Sequence, residues 1–252
     1  MRGTTLTCAP LFHIGGLNVT THPSLVSGVH VVLHQAFDAK RILADIEKYQ
    51  VSTMFGAPTM FDMLTYESTF ETTDFRSIIA FNCGAAPVPL PLIETYLEKG
   101  VQFCQGYGLT ETAPYVSVLS SKDSVTKKGS AGKALMFTEV CIVDASGAVV
   151  PALERGEICV SGPNVTAGYW GLEAATRDAF DNRGWFLTGD IGYLDDDGYL
   201  FICDRKKDMI ISGGENVYPA EVEGELLALP GVKEVAVLGL PDDKWGEKVV
   251  AV

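Results

Sequence analysis

The sequence predicts an α/β protein: a layered α/β region, then an antiparallel β region, then the start of a small α+β domain. Three observations carry this. Short β-rich runs alternate with helical patterns from Ser24 to Cys104, the rhythm of a layered α/β domain. After about Gly129 the chain changes to short strands and tight turns. Beyond a charged junction, Asp204-Arg-Lys-Lys-Asp208, one helix and two apolar runs follow. The boundaries expected from these shifts are 1–129, 130–206 and 207–252.

In the first region the β-rich runs are Val29 to Leu33, Val51 to Phe55, Ile78 to Phe81 and Val101 to Cys104. One intervening helix has Asp38 as a candidate N-cap, with Ile42, Ile46 and Tyr49 on one face. In the second region, Val140 to Val143 precedes the turn Asp144-Ala-Ser-Gly147. Glu157 to Val160 is a further strand, and Ile191 to Leu194 precedes Asp195-Asp-Asp-Gly198. In the third, Pro219 suits a first helical turn, Glu221 and Glu223 suit the positive end of the helix dipole, and Val222, Leu226 and Leu229 share a face. Pro230-Gly231 stops that helix, a strand is expected from Val232 to Leu238, and the last apolar run is Val249 to Val252. This third domain reads as incomplete.

The chain has 252 residues, 47% of them hydrophobic, enough to bury a sizeable core. A formal net charge of −13 argues against a broad basic surface for nucleic acid and favours small-molecule ligands. The six cysteines are far apart and form no C-x-x-C pair, which suggests neither a zinc knuckle nor a disulfide framework and fits a reducing cytoplasm. Pro10, His13 and Gly15-Gly16 break the N-terminal apolar stretch before a signal-peptide core forms. No apolar run approaches the ~20 residues of a membrane span; peripheral membrane contact stays open, and the oligomeric state is unreadable.

Chemistry concentrates in two loops after strands. Cys83-Gly-Ala-Ala-Pro87 has small residues that let backbone approach a flat ring, and Gln105-Gly-Tyr-Gly-Leu-Thr-Glu111 adds the Tyr107 face beside it, a combination that suits a purine. Thr110 offers a hydroxyl to a phosphate oxygen, and Glu111 a hard carboxylate for Mg²⁺. Gly106-Tyr-Gly108 opens a dinucleotide fingerprint, but Glu111 stands where its third glycine belongs. Gly132-Lys133 lacks the rest of a P-loop.

Three segments in order, Tyr107-Gly-Leu-Thr-Glu111, Gly184-Trp-Phe-Leu-Thr-Gly-Asp190 and Asp204-Arg-Lys-Lys-Asp-Met-Ile-Ile-Ser-Gly-Gly-Glu-Asn216, resemble the core motifs of the adenylate-forming acyl-CoA synthetase family. Pro10-Leu-Phe-His-Ile-Gly-Gly16 and Pro241-Asp-Asp-Lys-Trp-Gly-Glu247 match further family segments, so the resemblance covers essentially the whole chain. It is nearest to bacterial fatty-acid CoA ligases, especially the actinobacterial type.

That resemblance implies part of a large adenylate-forming domain followed by a small mobile one, with ATP, Mg²⁺, CoA and a fatty acid as ligands. It implies Gly84, Ala85, Ala86, Gly106, Tyr107, Gly108 and Leu109 around AMP, Thr110 on the α-phosphate, Glu111 on Mg²⁺, and Asp190 with Arg205 on the ribose hydroxyls. A carboxylate accepts two hydroxyl protons, and a guanidinium is a fixed fork of donors, so the side chains suit these roles. Thr110, Glu111 and Arg205 are the implied catalytic contributors. Ala85 stands where relatives often carry glycine. His13, Leu17, Cys83 and Gly108 are implied around the acyl group, Gly213 and Gly214 beside pantetheine, and Lys207 as the hinge. The family's phosphate-gripping loop is expected before residue 1 and its adenylation lysine after residue 252, which implies a fragment inactive alone.

Simpler readings stand beside these. His13 alone reads as a structural histidine, as do His22, His30 and His34. Asp195 to Gly198 lacks the alternating spacing of a calcium loop and reads as a hairpin turn. Gly213-Gly214 reads equally as a turn between a strand and the following helix, and Lys206 and Lys207 as a solvated charge run. Asp190 is different: a carboxylate ending the apolar run Trp-Phe-Leu needs a partner. A noncatalytic nucleotide-binding module, an aryl-acid substrate and a carrier-protein thiol acceptor are the alternatives to a fatty-acid CoA ligase.

Overall fold

In the computed structural model, residues 3–84, 88–124, 126–227 and 229–252 are described. The chain divides into two compact units, Met1–Glu139 with Ser161–Glu173, and Val140–Val160 with Ala174–Val252.

In the first unit β1 (Thr4–Thr7) leads through a π-helical turn (Gly15–Thr21) and α1 (His22–Val26) to β2 (His30–Leu33). Then come α2 (Ala39–Tyr49), β3 (Thr53–Gly56), α3 (Pro58–Thr65), β4 (Ala80–Cys83), α4 (Leu90–Glu98) and β5 (Phe103–Gly108). The strands lie in the order β2-β1-β3-β4-β5, all parallel. β6 (Tyr115–Leu119) and β7 (Ser130–Ala134) extend the sheet antiparallel. Parallel strands joined through helices present their carboxyl ends and the loops after them along one edge, where α/β sheets bind ligands.

The predicted helix is α2. Asp38 accepts a hydrogen bond from the Arg41 amide at 2.9 Å, and Ile42 and Ile46 are fully buried while Tyr49 packs on the core. β3 and β5 begin two residues later than the apolar runs suggest. Val51 and Val101 each send their amide back five residues into the preceding helix, to Ile46 and Tyr96, behind Gln50 and Gly100 at positive φ. Each valine is thus the hydrophobic closure of a helix end, not the start of a strand. The core of this unit is aromatic: Tyr96 meets Phe61, Phe81 and Phe103 edge to face, Phe61 meets Phe103 edge to face and Phe81 at a tilt, and the Tyr96 hydroxyl donates to the Phe61 carbonyl at 2.8 Å.

The second unit carries β8 (Glu139–Val143, all but its first residue), β9 (Gly156–Ser161, to Val160), β10 (Phe186–Leu194) and β11 (Leu200–Arg205), in the order β11-β10-β9-β8, with the short α5 (Glu173–Asp178). Asp195 to Gly198 form the hairpin turn between β10 and β11, with the Asp195 carboxylate accepting the Asp197 and Tyr199 amides. A four-stranded antiparallel sheet follows, β12 (Ile210–Ser212), β13 (Glu215–Val217), β14 (Val237–Asp242) and β15 (Gly246–Ala251), with α6 (Pro219–Leu227) between β13 and β14.

Two expectations are corrected here. The strand expected from Val232 begins only at Val237, because Gly231 at φ +91° and the Val232 amide bonded to Leu229 hold that stretch in a turn. Gly213-Gly214 joins β12 to a second strand, β13, and not directly to a helix. Both glycines have positive φ, +62° and +89°, as a two-residue hairpin of this kind demands. On α6, Val222 and Leu226 are half-buried, while Leu229 lies past the helix end and is exposed. Among the described residues, no helix is long and apolar enough to cross a membrane.

Candidate functional site

In the first unit the site residues sit where β4 and β5 end. Cys83 is fully buried, and burial pushes its thiol up to about 12. A Cβ on Gly84 would stand 3.2 Å from the Phe55 ring and 3.4 Å from the Gly106 carbonyl, tighter than an ordinary contact. Ala85 and Ala86 lie outside the described residues.

Gly106 and Gly108 owe their lack of side chain to β6. A Cβ on Gly106 would collide with the Tyr115 ring, and one on Gly108 with the Pro114 carbonyl oxygen. Between β5 and β6 the chain makes a 3₁₀ turn, Thr110–Thr112, that carries Thr110 exposed and Glu111 half-buried. Tyr107 and Leu109 are half-buried.

Thr112, which no sequence motif singled out, fixes this turn. Its hydroxyl, fully buried, accepts from the Leu109 amide at 2.9 Å and donates to the Pro114 carbonyl at 2.6 Å. A strap from residues 161–170 holds it from outside. Asn164 donates to the Thr112 and Tyr115 carbonyls, and the Thr166 amide donates to the Glu111 carbonyl at 2.8 Å. The Tyr169 hydroxyl donates to Glu111 Oε1 at 3.0 Å; partial burial and this carboxylate raise the Tyr169 pKa. The strap is more than 50 residues away in the chain, so no local pattern points to it. A carboxylate has about four acceptor positions, so one phenol leaves Glu111 capacity for a hard cation such as Mg²⁺.

At the N-terminal end of this unit, His13 is exposed and its Nδ1 accepts from the Gly15 amide at 3.1 Å. In the neutral ring that leaves the proton on Nε2, which can then donate. Leu17 is half-buried on the π-helical turn, a conformation frequent at functional sites.

In the second unit, Asp190 and Arg205 stand directly opposite each other on β10 and β11, with Arg205 Nε 2.8 Å from Asp190 Oδ1. The Asp190 side chain is 4% exposed and the Arg205 side chain 56%. Asp190 sits in a bulge: between the pairs Leu187 with Cys159 and Ile191 with Glu157, residues 188, 189 and 190 oppose Ile158 alone. Bulges re-aim side chains and recur beside functional sites. Here the Thr188 hydroxyl donates to the Ile158 carbonyl and accepts from the Asp190 amide, and Gly189 takes φ +72°.

Lys206 and Lys207, just past β11, are both exposed, and Lys206 Nζ pairs with Glu157 at 2.7 Å. The Gly213 amide donates to the Trp245 carbonyl at 2.8 Å, and a Cβ there would strike the Trp245 indole at 2.7 Å. Gly214 has open space around it. The structure thus brings Asp190 to Arg205, and sets Gly84, Gly106 and Glu111 in one unit on consecutive strand ends.

The chain matches the AMP-binding enzyme family over residues 2–170, and the AMP-binding enzyme C-terminal domain over residues 221–252. A feruloyl-CoA synthase from Amycolatopsis sp is 48% identical over 242 residues, 96% of this chain and 49% of that protein. The long-chain-fatty-acid–CoA ligase FadD13 of Mycobacterium tuberculosis (strain ATCC 25618 / H37Rv) is 43% identical over 243 residues, 96% of this chain and 48% of that protein. The solved o-succinylbenzoate coenzyme A synthetase of Bacillus subtilis, in complex with ATP and magnesium ion, superposes with a TM-score of 0.89 at 43% identity, covering 99% of this chain and 51% of that one. The chain spans about half the length of the curated relatives it matches.

Proposed function

Because this chain belongs to the AMP-binding enzyme family, we propose that it forms the AMP-holding part of an acid–thiol ligase that activates a fatty acid with ATP and passes it to CoA. The observation that carries this reading is the buried Asp190 set against Arg205, a carboxylate and a fork of donors of the kind that binds a ribose diol and a phosphate.

In this reading the acid's carboxylate attacks the α-phosphorus of ATP and pyrophosphate leaves; the CoA thiolate then attacks the acyl carbon of the acyl-adenylate and AMP leaves. No side chain serves as nucleophile. Positioning and charge neutralisation at phosphorus supply the catalysis. Gly84, Tyr107, Gly108 and Leu109 border the nucleotide, Thr110 donates to an α-phosphate oxygen, and Arg205 donates beside Asp190. Glu111 holds Mg²⁺, which when bound neutralises phosphate charge. His13, Leu17, Cys83 and Gly108 serve the acyl group, Gly213 and Gly214 the pantetheine arm, and Lys207 a hinge between the domains at 1–206 and 207–252. A cytoplasmic location goes with the six free cysteines.

The 48% identity to a feruloyl-CoA synthase supports a second reading, an aryl acid in place of the fatty acid. AMP formation by the whole protein, measured with ATP, CoA, Mg²⁺ and a panel of acids ranked by kcat/KM, decides between them. A medium- or long-chain aliphatic acid ranks first under the proposal. Preference for ferulate-like acids overturns the fatty-acid assignment, and no AMP with any acid overturns the ligase.

A further inference from the structure

Glu157, on β9, makes contacts that none of the roles above uses. Its side chain is 11% exposed, close to the interior, where a carboxylate must be partnered. It has two partners in unrelated parts of the chain. Oε1 accepts the Gly189 amide at 3.2 Å, and Oε2 pairs with Lys206 Nζ at 2.7 Å. Gly189 precedes Asp190, and Lys206 follows Arg205.

The Gly189 peptide is held on its other side too, since its carbonyl accepts the Lys206 amide at 2.8 Å. Without the Glu157 bond the Gly189 N–H would lose its partner, because the bulge takes residues 188–190 out of register with β9. Gly189 itself, at φ +72° with open space around its Cα, is a glycine for its backbone angle and not for crowding. A flexible residue at a bulge fixes nothing alone; the Glu157 carboxylate supplies the fixing.

We propose that Glu157 is a positioning residue for the nucleotide contact made by Asp190 and Arg205, one carboxylate clamping the backbone before the first and the side chain after the second. Glu157 touches no substrate; it sets where the Asp190 carboxylate points. This rests on the reading of Asp190 as the ribose-binding group, and the two can fail separately.

The test is calorimetric titration of the protein with AMP and with 2′,3′-dideoxy-AMP, which lacks the hydroxyls that Asp190 would hold. Wild type is expected to bind AMP more tightly than the dideoxy nucleotide. Glu157→Ala should weaken AMP by about tenfold and leave the dideoxy nucleotide nearly unchanged, the non-additivity of two groups acting through one contact. Glu157→Gln, which keeps an acceptor for the Gly189 amide, should recover most of the loss, and Lys206→Met should cost less than Glu157→Ala. If Glu157→Ala weakens both nucleotides by one factor, or neither, the proposal is overturned while the ribose reading stands. If wild type binds both nucleotides alike, or binds neither, the ribose reading fails and the proposal with it.

Discussion

Glu111 and Asp190 are both carboxylates that interrupt regular strand pairing, one on a turn after β5 and one in a bulge within β10, and the fold treats them in opposite ways. Glu111 rides on a short 3₁₀ turn, half-buried, with one phenol on one oxygen. Asp190 is buried in a bulge, opposite a guanidinium, with its amide tied to Thr188 and its neighbour Gly189 tied to Glu157. A group whose geometry is over-determined is suited to recognising a fixed arrangement of donors, whereas one with unused acceptor capacity is suited to a cation that brings its own ligands. Removing the support of Asp190 should therefore cost stability, and removing Glu111 should cost only binding.

The largest effect is expected at the ion pair. Arg205→Met leaves the 4%-exposed Asp190 carboxylate without its guanidinium, and stability should fall by about 2 kcal/mol. That is below the usual cost of breaking a buried pair, because Arg205 is more than half exposed and partly screened by water. Urea denaturation measures it. No loss would mean that Asp190 is wetter than its burial implies, and the contrast with Glu111 would dissolve. Next comes Thr188→Val, nearly isosteric, which leaves the Ile158 carbonyl and the Asp190 amide without their shared hydroxyl. A loss of about 1–2 kcal/mol is expected in the same measurement.

Alkaline pH reaches both regions through their thiols. Cys83, before the Gly84 loop, and Cys159, beside the Asp190 bulge, are each pushed up to about 12 by burial. An unfolded thiol ionises near 8.5, so between that pH and about 12 the folded chain holds protons that the unfolded chain has lost, and stability falls as pH rises. The stabilisation is complete below pH 8.5. Between pH 8.5 and 9.5 each thiol should cost about 1 kcal/mol, so Cys83→Ala and Cys159→Ala should each flatten the decline by that amount. An unchanged slope in one variant would show that its region admits water.

The two carboxylates were unequally legible. Asp190 could be read as needing a partner because it ends an apolar run, and Arg205 proved to be that partner across the hairpin whose turn, Asp195 to Gly198, was itself readable. Local signals suffice when partners lie on neighbouring strands. Glu157, Asn164 and Tyr169 escape a sequence reading because their contacts join segments that are distant in the chain or hide in a bulge, and Thr112 because its bonds, though local, belong to a non-repeating turn; no periodicity reports either. The strands at Thr53 and Phe103 were placed early because a helix-closing valine has the composition of a strand. The Val232 run failed for a related reason: apolar content does not reveal that Gly231 turns the backbone away.

The smallest effects on stability belong to Glu111, and they test the other half of the contrast. Glu111→Gln keeps an oxygen for the Tyr169 phenol, so stability should stay within about 0.5 kcal/mol of wild type. An amide is a far poorer ligand for a hard divalent cation, so the gain in ATP affinity on adding Mg²⁺ should disappear, while AMP binding without metal should be unaffected. Tyr169→Phe removes only the hydroxyl that orients the carboxylate. It should lower that Mg²⁺-dependent gain by about tenfold at most, as loss of a partner behind a metal ligand does, with stability again nearly unchanged. Titrations of ATP with and without Mg²⁺, alongside urea melts, read both quantities. A Glu111→Gln protein that melts like Arg205→Met would place Glu111 among the supports of the fold, and the two carboxylates would then differ in exposure alone.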